Sequence, residues 1–168
     1  MVFSVFKNIN RFAGKSKLLD VSAVFCARYL LYLMILFLMI FSAVTHNWNL
    51  FFIPLLAGLF SAFVFSWIIY IFYREHRPAE LKTAKVLIPV PKNPSFPSRH
   101  AAFLFGISFY LFFYNTPLAI FFTACSCLVG TARVFCGVHW FHDVLAGIFV
   151  GFMATLIFYG LLNGIKFN

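Results

Sequence analysis

The stretch YLLYLMILFLMIFSAV at residues 29–44 decides the class of fold. It opens a run of 45 residues, 29–73, that contains no Lys, Arg, Asp or Glu. Similar runs of 32 and 22 residues lie at 101–132 and 144–165, so 99 of the 168 residues belong to uncharged stretches. Because a membrane span needs about 20 consecutive apolar residues, this pattern predicts a protein that crosses the membrane several times.

The composition of the whole chain agrees with this prediction. Apolar residues make up 63% and charged residues 10%, whereas a soluble domain has roughly 45–50% and about 25%. A soluble globule is therefore excluded, and so is a disordered chain, which requires low hydrophobicity and high charge. The length suits one domain over residues 1–168 and leaves little room for a separate regulatory or nucleic-acid-binding module.

Polar breaks at residues 45–49 and 115–117 divide the first two uncharged runs. The predicted fold is an all-α, polytopic membrane helical bundle with about five transmembrane helices, at residues 24–44, 50–73, 100–114, 117–136 and 143–165. The third span has only about 15 residues and a length of about 22 Å, so we expect one of its ends to stop inside the membrane.

Residues 1–20 have the pattern of an interfacial amphipathic helix. Lys7, Arg11 and Lys15 recur every four residues. The opposite side carries four apolar residues, Phe3, Phe6, Ile9 and Ala13. A basic face of this kind suits an anionic membrane surface, and a solvated charged tail is the plainer alternative. A cleaved signal peptide is disfavoured, because the first long apolar run begins only near residue 22.

The charged residues concentrate in two regions, 74–100 and 133–143. Six of the 13 Lys and Arg residues lie between Arg74 and Arg99. Two predicted spans separate the two regions, so both regions and the N-terminus face the same side of the membrane. The positive-inside rule assigns this basic side to the cytoplasm.

Three short motifs within these regions have the residue types that phosphoryl transfer requires. They are RP at 77–78, PSRH at 97–100, and an Arg followed after five residues by His and after three more by Asp. The last of these supplies His139 as a nucleophile and Asp143 as an acceptor for its ring N–H. His100 is a second imidazole that can protonate the leaving group.

The remaining polar residues of the motifs suit a phosphate. Ser98 is a plausible N-cap of the helix that begins near residue 100, so its hydroxyl and the following backbone N–H groups can face an anion. The cations expected to neutralise the phosphate are Arg77 and Arg133, with Arg99, Lys82 or Lys85 as assistants.

The chain has only four carboxylates, at Asp20, Glu75, Glu80 and Asp143. We therefore predict catalysis without a metal ion or other cofactor. A metal site formed by His139, His142 and Asp143 is the less favoured alternative.

The three motifs resemble those of the type 2 phosphatidic acid phosphatase superfamily, written K-x6-R-P, P-S-G-H and S-R-x5-H-x3-D. The resemblance implies a phosphohistidine intermediate on His139, oriented by Asp143, with His100 as the general acid. By the same resemblance, phosphate would be bound by Arg77, Ser98, Arg99 and Arg133.

Three positions depart from the family pattern. Tyr70 stands where the family has Lys, Arg99 where it has Gly, and Ala132 where it has Ser. None of these changes removes the nucleophile, its Asp or the acid. Family members commonly have six spans, and here the N-terminal segment would take the place of the first.

The sequence thus predicts an integral-membrane phosphatase that acts on the phosphate monoester or diphosphate of a bacterial envelope lipid. With little mass outside the bilayer, such a protein must take its substrate from the membrane. Similar compact bacterial members act on lipid A 1-phosphate, undecaprenyl diphosphate or phosphatidylglycerol phosphate. The surplus of cations favours a polyanionic headgroup, and lipid A 1-phosphate is the first choice.

The expected partners are the lipid substrate and the bilayer, with no nucleic acid and no obligate protein partner. The expected location is the bacterial inner membrane. The resemblance places the active site on the periplasmic face, against the positive-inside rule. The alternative function is a non-enzymatic anion-binding or transport protein of the membrane.

Overall fold

The computed structural model describes residues 2–164, and side chains from residue 4 onward. The predicted contribution of Phe3 and the last residue of the predicted span 143–165 lie outside the described residues. The described part of the chain is helical and contains no strand. Its helices are α1 (Val2–Asn10), α2 (Lys17–Arg28), α3 (Leu30–Val44), α4 (Asn49–Leu59), α5 (Ser66–Phe72), α6 (Arg99–Leu111), α7 (Thr116–Phe135) and α8 (Phe141–Gly164).

Among residues 2–164, three continuous helical segments are long and apolar enough to cross a membrane. The first joins α4 to α5 through a π-helical turn, Phe60–Phe65, and the other two are α7 and α8. The pair α2 and α3 is bent by 53° and gives a fourth candidate if the two helices form one broken span. The predicted span 100–114 corresponds to α6, which has 13 residues, so the count of five stays a prediction.

Helix α6 lies at the centre of the bundle. Ten of its 13 residues are buried, and it packs against α4, α7 and α8. Glycines permit the close approach of α8: a Cβ added at Gly147 would lie 2.7 Å from the carbonyl oxygen of Ser98, and one at Gly151 would lie 2.8 Å from the backbone nitrogen of Gly106. Small residues allow helices to pack closely in membranes, and this contact fixes the start of α6 against the start of α8.

The N-terminal helix is shorter than predicted. It ends at Asn10 and does not continue to residue 20, because the chain turns through Gly14, which has a φ of +74°, before α2 begins. Its apolar side contacts protein: Phe6 is buried, and its ring centroid lies 5.1 Å from that of Trp140. Its position at a membrane surface stays a prediction.

Asn10 links the N-terminal segment to both charged regions. Its side-chain amide donates to the carbonyl oxygens of Lys85 and Phe135, each at 2.8 Å, and its own oxygen accepts from the Lys85 N–H at 2.9 Å. These three segments therefore lie together in the fold, and their position on one side of the membrane stays a prediction.

The break between α2 and α3 releases a backbone carbonyl near the charged regions. In an unbroken helix the Ala27 oxygen would accept from the N–H of residue 31. Here it accepts from Arg133 Nη1 at 3.2 Å. The bend thus brings the end of α2 into contact with the third sequence motif.

Candidate active site

His139 and Asp143 form the predicted pair. His139 lies in the short connection between α7 and α8, and Asp143 lies in the first turn of α8. Both side chains are buried, with His139 2% and Asp143 0% exposed. The Nδ1 of His139 donates to Asp143 Oδ2 at 3.3 Å. This bond fixes the tautomer of the imidazole and leaves Nε2 without a proton, so that its lone pair is available to react.

The Asp143 carboxylate is held by two more donors. Its Oδ2 accepts from the backbone N–H of Trp140 at 2.7 Å and from the hydroxyl of Ser95. Negative charge at a helix N-terminus is favourable, so α8 itself stabilises the carboxylate. The Ser95 contact was not predicted, because Ser95 lies 48 residues away in the sequence.

Arg77 lies beside the unprotonated nitrogen of His139, Nε2. Its Nη1 donates to the Val138 carbonyl oxygen at 2.7 Å and lies 3.4 Å from His139 Nε2. Its Nε and Nη2 donate to the carbonyl oxygens of Asn93 and Pro94, each at 3.0 Å. With these contacts the guanidinium group is fixed and faces the reactive edge of the imidazole.

Arg133 and His100 contact each other near this pair. The Nη1 of Arg133 lies 3.4 Å from His100 Nε2, and its buried Nε makes no hydrogen bond with any described residue. A buried donor without a partner is costly, so this N–H is well suited to a bound anion. His100 follows Ser98, which caps α6 as predicted by accepting from the Ala101 N–H at 3.5 Å.

These groups meet around one small cavity. Its charged lining is a set of three arginines that we call the guanidinium cluster (Arg77, Arg99 and Arg133), and both imidazoles, His100 and His139, also line it. The other lining residues are Tyr70, Pro91 and Asn93.

Tyr70 supports Arg99 in this cavity. The Arg99 guanidinium lies 5.9 Å from the centroid of the Tyr70 ring, within the range of a cation–π contact. The Tyr70 hydroxyl donates to the Pro97 carbonyl oxygen at 3.1 Å. Tyr70 stands at the position where the family motif has Lys. The positive charge at this position is supplied here by Arg99, which lies over the Tyr70 ring.

The structure does not bring every predicted residue to the cavity. Lys82 lies exposed in the turn after the 3₁₀ segment Pro78–Glu80 and does not line the cavity, so its contact with phosphate stays a prediction. The Lys85 ammonium donates to the Ala13 carbonyl oxygen at 2.7 Å. Ser98 is buried as a helix cap, and its contact with phosphate stays a prediction.

Burial and positive charge determine the protonation of the nucleophile. Burial, followed by the charges of Arg133 and Arg77, lowers the pKa of His139 well below its ordinary value. The imidazole is therefore neutral at physiological pH, and Nε2 keeps the lone pair that a nucleophile needs.

A second cluster lies behind Asp143. His142 Nε2 is 2.8 Å from Glu75 Oε2 and 3.5 Å from Asp143 Oδ1. Within residues 2–164, these three side chains form the group whose potential metal-ligand atoms lie within 4.8 Å of one another. The metal site considered from the sequence consisted of His139, His142 and Asp143. In the structure the group contains Glu75 in place of His139. Glu75 lies two residues before Arg77 of the RP motif, and this position in the sequence could have identified it as a residue near the site.

Comparisons with known proteins agree with the site. The chain is 29% identical to the undecaprenyl-diphosphatase BcrC of Bacillus subtilis (strain 168) over 168 residues, which cover 95% of this chain and 83% of that protein. It is 27% identical to the bacitracin transport permease protein BcrC of Bacillus licheniformis over 154 residues, which cover 90% and 75% of the two chains.

Two solved structures share the fold. The crystal structure of Aquifex aeolicus LpxE matches with a TM-score of 0.70 and 25% identity over 94% of this chain and 93% of that one. A transmembrane PAP2 type phosphatidylglycerolphosphate phosphatase from Bacillus subtilis matches with a TM-score of 0.69 and 20% identity over 99% and 89%. A family model described as PAP2 superfamily matches residues 52–166. The chain therefore belongs to the PAP2 superfamily, and its spanning helices group it with the membrane lipid phosphatases of that family.

Proposed function

We propose that the protein is a metal-independent phosphatase of a bacterial envelope lipid that works through a phosphohistidine on His139. One observation carries the proposal. His139 is buried with Nδ1 on Asp143, while Nε2 faces a cavity lined by the guanidinium cluster and a second imidazole.

The first step forms a bond between His139 Nε2 and the phosphorus and breaks the bond to the leaving oxygen. The guanidinium cluster stabilises the charge on the equatorial oxygens. The negative charge of the substrate favours the protonated form of His100, which gives its proton to the leaving oxygen. Asp143 stabilises the positive charge that His139 acquires.

The second step regenerates the enzyme. Neutral His100 takes a proton from a water molecule whose oxygen attacks the phosphorus. The P–N bond breaks, its electron pair returns to His139 Nε2, and inorganic phosphate leaves. The two steps return every catalytic side chain to its starting protonation state.

We propose undecaprenyl diphosphate as the first substrate to test. Three guanidinium groups around one cavity suit a terminal diphosphate better than a single phosphate. The relative from Bacillus subtilis is named for this substrate. The surplus of cations alone favours lipid A 1-phosphate, which remains the second choice, with phosphatidylglycerol phosphate as the third.

The test is phosphate release from each of these three lipids by the purified full-length protein in detergent micelles. We expect turnover with undecaprenyl diphosphate to exceed turnover with the other two lipids, and His139→Ala to abolish turnover. His76→Ala is the matched control, because the His76 side chain is 88% exposed and pairs with Glu80 outside the cavity. A preference for lipid A 1-phosphate would overturn the choice of substrate but not the enzyme class.

One relative is named a transport permease, so the non-enzymatic alternative is tested in the same experiment. If phosphate release by His139→Ala equals that of the wild type, the phosphohistidine mechanism is wrong. If the wild type releases phosphate from none of the lipids, the proposed activity fails and the transport alternative gains support.

We further propose that five spans cross the inner membrane as one domain over residues 1–168, with the active site on the periplasmic side and no obligate protein partner. Thr83 lies exposed in the loop on the active-site side. Thr83→Cys, in a background without the four native cysteines, is expected to react with an impermeant maleimide in intact spheroplasts. Labelling only after lysis would place the site in the cytoplasm.

A further inference from the structure

The two oxygens of Asp143 have different surroundings. Oδ2 accepts from His139, from the Trp140 backbone and from Ser95. Oδ1 is buried and makes no hydrogen bond with any described residue. It faces the Nε2 of His142 at 3.5 Å. A fully buried carboxylate oxygen needs a donor or a countercharge, and His142 is in place to supply one.

The His142 ring is held in this position from three sides. Glu75 Oε2 lies 2.8 Å from the same Nε2. The ring of Trp140 is stacked at a centroid distance of 6.4 Å and an interplanar angle of 18°, and the ring of Phe96 lies at 5.8 Å and 31°. The imidazole is thereby oriented with its Nε2 hydrogen-bonded to Glu75 and 3.5 Å from Asp143 Oδ1.

These contacts join the three sequence motifs. Glu75 precedes the RP motif, Phe96 precedes PSRH, and Trp140 follows the nucleophile. The backbone supports the arrangement, because the Ser95 N–H donates to the Glu75 carbonyl oxygen at 2.9 Å. Any shift of one motif relative to the others must therefore also displace His142.

Resting on the proposed phosphohistidine mechanism, we infer that His142, oriented by Glu75, is a positioning residue. Its Nε2 lies 3.5 Å from the Asp143 oxygen that has no hydrogen-bond partner and holds this carboxylate against His139. The effect is transmitted through Asp143, since His142 does not line the cavity. His142 therefore acts on the chemical step and not on the binding of the lipid phosphate.

Variants of matched shape separate this role from simple packing. His142→Phe keeps an aromatic ring between Trp140 and Phe96 but has no N–H. We expect its kcat to fall about tenfold with KM changed less than about twofold. His142→Gln restores a side-chain N–H and is expected to recover most of the loss. His76→Phe is the control, because the exposed His76 has a similar contact to a carboxylate, at 2.7 Å from Glu80.

A double-mutant cycle identifies the route of the effect. If His142 acts through Asp143, then His142→Phe has no further effect on kcat when Asp143 is already Asn. Size-exclusion profiles and melting temperatures establish that each variant is folded. The inference is overturned if His142→Phe matches the wild type, if Gln does not restore kcat, or if the loss persists in the Asp143→Asn background.

The outcomes also distinguish this inference from the proposed function. If the wild type releases no phosphate from any of the lipids, both the proposed function and the inference about His142 are wrong. If the wild type is active and its His142→Phe variant retains full kcat, the inference about His142 is wrong and the proposed function stands. A tenfold loss that requires the Asp143 carboxylate supports both.

Discussion

Replacing Gly147 by Ala tests whether the contact between α6 and α8 positions the active site. A Cβ at this position would lie 2.7 Å from the Ser98 carbonyl oxygen, 2.7 Å from the Ala101 Cβ and 3.0 Å from the Ala102 nitrogen. Two of these atoms belong to the backbone of the first turn of α6, so they cannot move aside as a side-chain end can. The added methyl group must push α8 away from the turn that carries His100.

The expected size of the effect follows from these distances. Forcing a methyl group into such a contact costs about 1–3 kcal/mol in the free energy of unfolding, which lowers the melting temperature by roughly 2–12 °C for a chain of this length. Relieving contacts of 2.7 Å requires a displacement on the order of 1 Å between His100 and His139. A misplacement of that size costs about 100-fold in turnover.

The assay combines thermal unfolding in detergent with phosphate release, and two glycines of the same helix provide controls. At Gly160 no atom lies within 4 Å of an added Cβ, so Gly160→Ala is expected to match the wild type in both measurements. At Gly151 an added Cβ would lie 2.8 Å from the Gly106 nitrogen, one turn further from the site. Gly151→Ala is expected to lower the melting temperature and to spare turnover more than Gly147→Ala. If Gly147→Ala keeps wild-type turnover and stability, the reasoning is refuted.

Three further predictions follow from the site. Arg133→Lys keeps a positive charge but loses the guanidinium fork between Ala27 and the cavity, and we expect turnover to fall about 100-fold; near-normal turnover would show that charge alone suffices. Turnover is expected to be unchanged after dialysis against EDTA; a loss that added Zn²⁺ or Mg²⁺ reverses would contradict metal independence. The buried His139 has a pKa lowered well below the ordinary 6.5, so below about pH 6.5 the unfolded chain binds a proton that the native state does not, and stability falls as the pH falls. In melting scans from pH 8 to pH 5, the melting temperature of His139→Gln should fall less steeply with falling pH than that of the wild type. An equal slope in the two proteins would contradict the lowered pKa of His139.

The parts of the site that depend on local spacing could be predicted from the sequence. Three residues separate His139 from Asp143, and the start of α8 brings the two side chains together wherever that helix lies in the bundle. Ser98 caps α6 for the same reason, since a cap requires only the next turn of the chain. The uncharged runs likewise located the apolar helices, because hydropathy alone determines which segments avoid water.

The contacts that depend on the path of the loop could not be predicted. Residues 81–98 contain no regular helix, so no periodicity indicates which of the cations near this loop points inward. The sequence therefore predicts both Arg99 and Lys82 as phosphate ligands, and of these two Arg99 lines the cavity. The contact of Glu75 with His142 joins residues 67 positions apart, and only the folded chain brings them together.

The bend at Tyr29 has a consequence for any attempt to redesign or transplant this site. The Ala27 carbonyl, left without its helical partner by the break, accepts from Arg133, so one hydrogen bond joins the bend to a residue 106 positions away. Substitutions that straighten α2 and α3 into one continuous helix would return this carbonyl to the helix and leave a buried guanidinium group with one acceptor fewer. A graft of the three motifs onto a straight-helix scaffold must therefore supply another acceptor at this point, or the grafted arginine will lose its orientation.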